Sequence, residues 1–183
     1  MQYKLKNDTF VIGDFAKNPQ YQGSGSSHIN ASKTICAIEM LKEREACFLF
    51  AKGFDADADK PDKKLTEEAV KIAEASETAV IFAGLPDAFE SEGFDREHLD
   101  LPENQNALIE AVCKVQKNVI VVLHGGSPML LPWEEQVKGI LCMYLGGQEV
   151  GRAAVELLYG EKNPSGKLAE TWPLRLEDTP SYL

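Results

Sequence analysis

Three observations predict an α/β fold for this sequence, a three-layer α/β/α sandwich around a mostly parallel sheet. Short runs rich in β-branched and aromatic residues alternate with stretches of helical period, the order that produces strands joined by helical crossovers. Those runs are apolar at nearly every position, as expected of strands covered on two sides. The length, 183 residues, suits one domain spanning 1–183 with a substantial core.

The predicted strands cover residues 9–13, 46–50, 78–83, 119–123 and 139–144, each short and bounded by turn formers. Helices are predicted over 32–42, 65–75, 104–115 and 148–160, with a shorter one near 130–137. In the second, Leu65, Ala69, Ile72 and Ala73 share a face, and Thr66-Glu67-Glu68 would put acids in the first turn, where the helix dipole favours them. The third opens behind Pro102 and repeats Ala107, Leu108, Ala111 and Val112 on one side. Residues 163–172 are punctuated by Pro and Gly and should wrap back over the sheet. In sheets of this kind ligands bind beyond the carboxyl ends of the strands, so chemistry is expected in the loops 14–30, 84–102, 124–132 and 146–149.

Composition excludes several classes. The apolar share of 44% and charged share of 26% are those of an ordinary globular domain. A net charge of −10 opposes phosphate backbones and anionic lipid, so neither nucleic acid nor membrane is an expected partner. The longest near-apolar run, around 119–123, is far short of the roughly 20 residues that span a bilayer, and no basic-then-apolar leader opens the chain. Cys36, Cys47, Cys113 and Cys142 lie scattered in apolar stretches without a C-x-x-C pair, which points to reduced thiols and a cytoplasmic protein. The sequons at Asn7 and Asn30 would matter only after secretion. No His or Cys stands at metal-ligand spacing, so no metal site is expected.

The glycine-serine run Gln22-Gly23-Ser24-Gly25-Ser26-Ser27-His28 follows the first strand as a phosphate loop would. It lacks the third glycine of a dinucleotide fingerprint and any Gly-Lys-Ser/Thr, and is better read as a serine-capped surface turn. The loop after the third strand, Asp87-Ala88-Phe89-Glu90-Ser91-Glu92-Gly93-Phe94-Asp95-Arg96, concentrates carboxylates, a guanidinium and two aromatics. Those groups suit glycoside cleavage, in which a carboxyl group with raised pKa protonates the departing oxygen; they also suit a solvated acidic loop whose charges pair among themselves. His28, His98 and His124 are more often structural than basic catalysts in such settings, and Trp133 and Trp172 more often core than sugar platforms.

Several stretches together carry a resemblance. Val11-Ile12-Gly13-Asp14-Phe15-Ala16 with the Tyr21 to Ser27 run, then Glu90-Ser91-Glu92-Gly93-Phe94-Asp95-Arg96 with Leu99-Asp100-Leu101-Pro102, resemble family 3 of the glycoside hydrolases. Gly126-Ser127-Pro128 with Pro132-Trp133, Gly147-Gln148-Glu149, and Asn163-Pro164-Ser165-Gly166-Lys167-Leu168 agree in the same order. The resemblance implies the C-terminal α/β sandwich of a β-glucosidase-like retaining hydrolase, whose site is shared with an N-terminal barrel domain. It implies a β-linked glucoside or related oligosaccharide as substrate and no cofactor. The family's barrel carries the nucleophilic Asp in a Ser-Asp-Trp-like motif; no Ser-Asp pair occurs here, and a barrel of about 250 residues is not accommodated in this chain. By the same correspondence Glu92 is the expected general acid/base, with Glu90 the fallback, and Asp95 and Arg96 are expected to support the loop. The competing expectation is a non-catalytic module that binds carbohydrate or a partner domain. A fragment with a single candidate carboxylate is expected to be inactive alone.

Overall fold

The computed structural model describes residues 9–93 and 96–182. Five strands form one parallel sheet: β1 (Thr9–Ile12), β2 (Phe48–Ala51), β3 (Thr78–Gly84), β4 (Val119–His124) and β5 (Gly139–Tyr144), in the order β2-β1-β3-β4-β5. Four helices connect and cover them: α1 (Ala37–Glu43), α2 (Lys63–Glu74), α3 (Glu103–Val115) and α4 (Val150–Leu158).

Strand residues alternate between two cores, as the two-residue period of a pleated strand requires. Phe10, Ile12, Ala79, Ile81, Val119 and Val121 face α2 and α3, meeting Ala69, Ala73, Leu108 and Val112. Val11, Val80, Phe82, Ile120 and Val122 face α1 and α4, meeting Ile38, Leu41, Ala154 and Val155. The middle strands β1, β3 and β4 are therefore buried throughout, whereas the edge strands β2 and β5 are only partly covered. That difference follows from strand order and not from composition. Leu49, on edge strand β2, is 59% exposed.

The helix boundaries show what capping adds to periodicity. The first helix begins at Ala37, later than expected from residue 32, because Cys36 caps it and Glu39 returns the bond to the Cys36 amide. The residues before it are held extended, with Ile35 bonded through its amide to Gln148 O and through its carbonyl to Gly151 N. The second helix opens behind Asp62, whose carboxylate accepts from the amides of Lys64 and Leu65. Lys63 and Lys64 thus fill its first turn, and Glu67 and Glu68 fall in the next, contrary to the expected dipole pairing. The shorter helix expected near 130–137 is reduced to the 3-10 turn Glu134–Gln136, because Leu130 N bonds to Leu99 O and Leu130 bridges to Asp100 in strand fashion.

The tail passes over the end of β5 as anticipated. A bulge skips Met143 in the β4–β5 pairing and leaves Tyr144 with a φ of 49°, and such an irregularity re-aims the side chain. The Tyr144 hydroxyl accepts from Ala169 N at 3.3 Å and donates to Glu170 at 3.5 Å. Trp172 packs against the α2/α3 core.

At the carboxyl end of the sheet, strands approach more closely than side chains permit. A Cβ at Gly84, where φ is 150°, would sit 1.8 Å from His124 O, and one at Gly13, where φ is 109°, would sit 2.0 Å from Phe82 O. Gly84 is also clasped from α3. The fully buried Gln105 accepts from Gly84 N and donates to Gly84 O, both at 2.8 Å. Replacing Gln105 by Leu keeps the volume and removes both partners from buried backbone groups, so it should cost about 2–4 kcal/mol. Urea denaturation checks this, with the exposed Glu110→Ala as a helix control expected to change stability by less than about 0.5 kcal/mol.

Candidate active site at the carboxyl ends of the strands

The helix following β1 lies on one face of the sheet and the helix following β3 on the other. Among the described residues no α-helix therefore covers the gap between these adjacent strands, only the short 3-10 turn Asp14–Ala16 after β1, and ligands collect at such a point of divergence. The β1 loop and the β3 loop meet there around an open cleft of about 520 Å³, lined by Gly23, Ser24, Ser26, Glu90, Glu92 and Arg96 among others.

The two candidate glutamates stand in opposite environments. Glu90, partly buried, ends the short turn Asp87–Phe89, and its Oε1 accepts from Gly126 N at 2.9 Å. Loss of water raises its pKa above the ordinary carboxylate value, against the lowering effects of that amide and of Arg96. Glu92 is exposed. Its Oε2 accepts from Ser26 Oγ at 2.6 Å and from Ser26 N at 3.1 Å, and these bonds, the hydroxyl first, lower its pKa. Among the described residues no donor reaches Glu92 Oε1.

Arg96 ties the β3 loop to the loop after β4. Its Nη1 donates to Ser127 Oγ at 2.8 Å and to Pro128 O at 3.0 Å, and Nη2 reaches Asp100 O at 3.5 Å. Burial lowers the guanidinium pKa, with Glu90 and Asp100 opposing. Arg96 is thus bonded between the two loops. Asp95, its expected companion in supporting the loop, lies outside the described residues.

The other sequence candidates are drawn elsewhere. Trp133 is fully buried and donates to Asn106 Oδ1 at 2.9 Å, a core role. His98 lies edge-on to Phe89, and His28 sits by the Gln22 amide on the surface. Among the described residues no three His, Cys, Asp or Glu side chains converge as a metal site would require, and no helix is long and apolar enough to cross a membrane. Sequence reasoning missed the serine contact to Glu92 and the Gly126 amide under Glu90. The recurrence of Gly and Ser after both β1 and β4 was the available signal.

The family model described as Glycosyl hydrolase family 3 C-terminal domain matches residues 4–183. The chain belongs to this family. Its relatives include the thermostable beta-glucosidase B of Acetivibrio thermocellus, 51% identical over 176 residues, and the exo-alpha-(1->6)-L-arabinopyranosidase of Bifidobacterium longum, 46% identical over 174. Each match covers 94% of this chain and 23% of the relative, so the chain spans about a quarter of their length. The GH3 beta-glucosidase of Bifidobacterium adolescentis superposes with a TM-score of 0.90 at 43% identity, covering 97% of this chain and 28% of that one.

One buried residue beneath the site of this family 3 domain links its stability to pH. His124, at the end of β4, is 1% exposed, stacked near Phe82 and edge-on to Phe15. Burial pushes its pKa down to about 4, with the Gln20 backbone opposing. Unfolded chains take up that proton near pH 6.5, so the neutral ring's contribution is full above pH 6.5 and drains as pH falls toward 4, by up to about 1.4 kcal/mol per pH unit. Urea midpoints measured from pH 7 to 4.5 should fall less steeply in His124→Leu than in the parent chain. Parallel slopes would contradict this assignment.

Proposed function

We propose that this domain supplies the general acid/base of a retaining glycoside hydrolase, with Glu92 in that role and the nucleophilic Asp on a barrel domain outside this chain. The observation that carries the reading is the setting of Glu92. It lies in the cleft over the β1/β3 gap, beside Gly93, with one oxygen held and the other without a donor among the described residues. A β-linked glucoside or related terminal sugar is the substrate class, supported by the names of the beta-glucosidases among the relatives, beside which stands an exo-alpha-(1->6)-L-arabinopyranosidase.

In the first step the Glu92 carboxylic acid gives its proton to the glycosidic oxygen as the nucleophile attacks the anomeric carbon. In the second, the Glu92 carboxylate takes a proton from water, which displaces the enzyme ester with net retention. As it stands, Glu92 is more acidic than an ordinary glutamate. A domain seated over the cleft would strip water from it and raise its pKa, as burial already does for Glu90. Each glutamate has one oxygen held by donors, Glu90 by the Gly126 amide and Glu92 by Ser26; they differ in exposure, Glu90 being partly buried and Glu92 open to the cleft where a second domain would bring the sugar. That difference in reach supports Glu92 and leaves Glu90 as the fallback, with Arg96 as loop support.

The test replaces the corresponding segment of the Acetivibrio thermocellus enzyme by this chain. The chimera should hydrolyse β-glucosides, while the isolated chain gives no turnover, since retention requires two carboxylates about 5–5.5 Å apart. Glu92→Ala in the chimera should slow alkyl glucosides by about 10²- to 10⁴-fold and spare formation of the covalent intermediate from activated aryl glucosides. Azide, which needs no base, should restore turnover of the activated substrates. If azide rescue and leaving-group dependence appear in Glu90→Ala and not in Glu92→Ala, the role passes to Glu90.

A further inference from the structure

The Gly-Ser run after β1 has a task more definite than turning the chain. It closes on itself through His28 N to Gly25 O at 3.1 Å and lies across the gap against the β3 loop, where Ser24 N bonds to Glu90 O at 3.3 Å. At Gly25, where φ is 95°, a Cβ would sit 2.7 Å from the Glu92 Cβ and 3.1 Å from its Oε2. A residue with a side chain there could not let the turn close on the carboxylate. The next residue, Ser26, then directs both its hydroxyl and its amide at the same oxygen of Glu92.

We propose that Ser26 is a positioning residue for Glu92: two donors on Oε2 fix the carboxyl group's rotation and leave Oε1 as the oxygen that carries the proton in the cleft. The proposal rests on the acid/base role argued above. A glutamate has several freely turning side-chain bonds, and a single bond to one oxygen would leave the other sweeping an arc. Two donors arriving from different atoms remove that freedom before substrate binds, which is where positional catalysis gains its rate. Ser26 also tolerates both states of the reaction. Its hydroxyl donates to the carboxylate and can turn to accept if Oε2 is protonated, while its amide can only donate. The frame behind Glu92 is separately anchored by Gly126 to Glu90 and Arg96 to Ser127, so removing the Ser26 hydroxyl should loosen the carboxyl group without releasing the loop.

Titration of the glutamate carboxyl carbons by NMR, on the 183-residue chain and on Ser26→Ala and Ser26→Thr, reads this directly. The parent should titrate Glu92 below the ordinary glutamate range, because the Ser26 hydroxyl and then its amide favour the ionised form. Ser26→Ala should shift the midpoint upward, Ser26→Thr should return it, and Glu90 should not move in either. A Glu92 midpoint indifferent to Ser26→Ala, or one that moves together with Glu90, overturns the proposal. In the chimera, Ser26→Ala should lower kcat on alkyl glucosides by about tenfold to a hundredfold. It should also move the alkaline limb of kcat/KM to higher pH, and Ser26→Thr should reverse both effects. A shifted titration with an unmoved alkaline limb takes the acid/base role from Glu92 and the positioning role from Ser26 with it, whereas an unmoved titration overturns the role of Ser26 alone.

Discussion

Parallel neighbours can be joined only by a crossover over one face of the sheet, and here the chain leaves β1 and β3 toward opposite faces. The carboxyl ends of these two strands are consequently roofed by loops and the short 3-10 turns that open them. Two loops far apart in sequence are forced to share that roof, which is how Ser26 comes to touch a residue 66 positions away. Gly13 and Gly84 let the strand ends close up beneath it, and Gln105 satisfies the backbone of Gly84 from the side. The site is thus a consequence of connectivity. The side chains in it are drawn from whatever the two loops deliver.

What the loops deliver is a pair of glutamates two residues apart whose proton affinities are displaced in opposite directions by different causes. Glu90 is deprived of water and Glu92 is supplied with donors. Exposure accounts for the contrast. Glu90 is partly buried and reaches the Gly126 amide, while the exposed Glu92 meets the facing turn at Ser26. The family's shared architecture, with the chain covering about a quarter of its relatives, gives that outward position a purpose under the proposed function. An outward carboxylate is available to a second domain, and an inward one is not.

The sheet was legible in the sequence because burial on two sides leaves an unbroken apolar run that a surface strand would not have, as at 78–83 and 119–123. The helices were legible in register but less so at their ends, since Cys36 as a cap and Asp62 as a cap act through one or two bonds that periodicity does not record. The stretch 130–137 yielded only the 3-10 turn Glu134–Gln136 for a related reason. Its apolar residues answer to a single bridge with Asp100 and to the core around Trp133, not to a helical face. At the site, Glu90, Glu92 and Arg96 could be singled out by residue type, and the structure gathers them around one cleft. The contribution of Ser26 could not be read, because a serine in a glycine-rich turn looks the same whether it faces water or a carboxylate. Only the pairing of strands determines which loop lies opposite.

The outer strand β2 leaves one rim of the sheet unpaired among the described residues, with Leu49 turned largely to solvent. An open rim of this kind invites a strand from another molecule, the route by which β-rich proteins stick together. Here the rim is four residues long. A segment so short presents about two amides pointing outward, too few to repay the ordering of an incoming chain. Brevity takes the place of the lysine or proline that guards longer rims, and it limits what an apolar residue in plain view offers to an incoming strand.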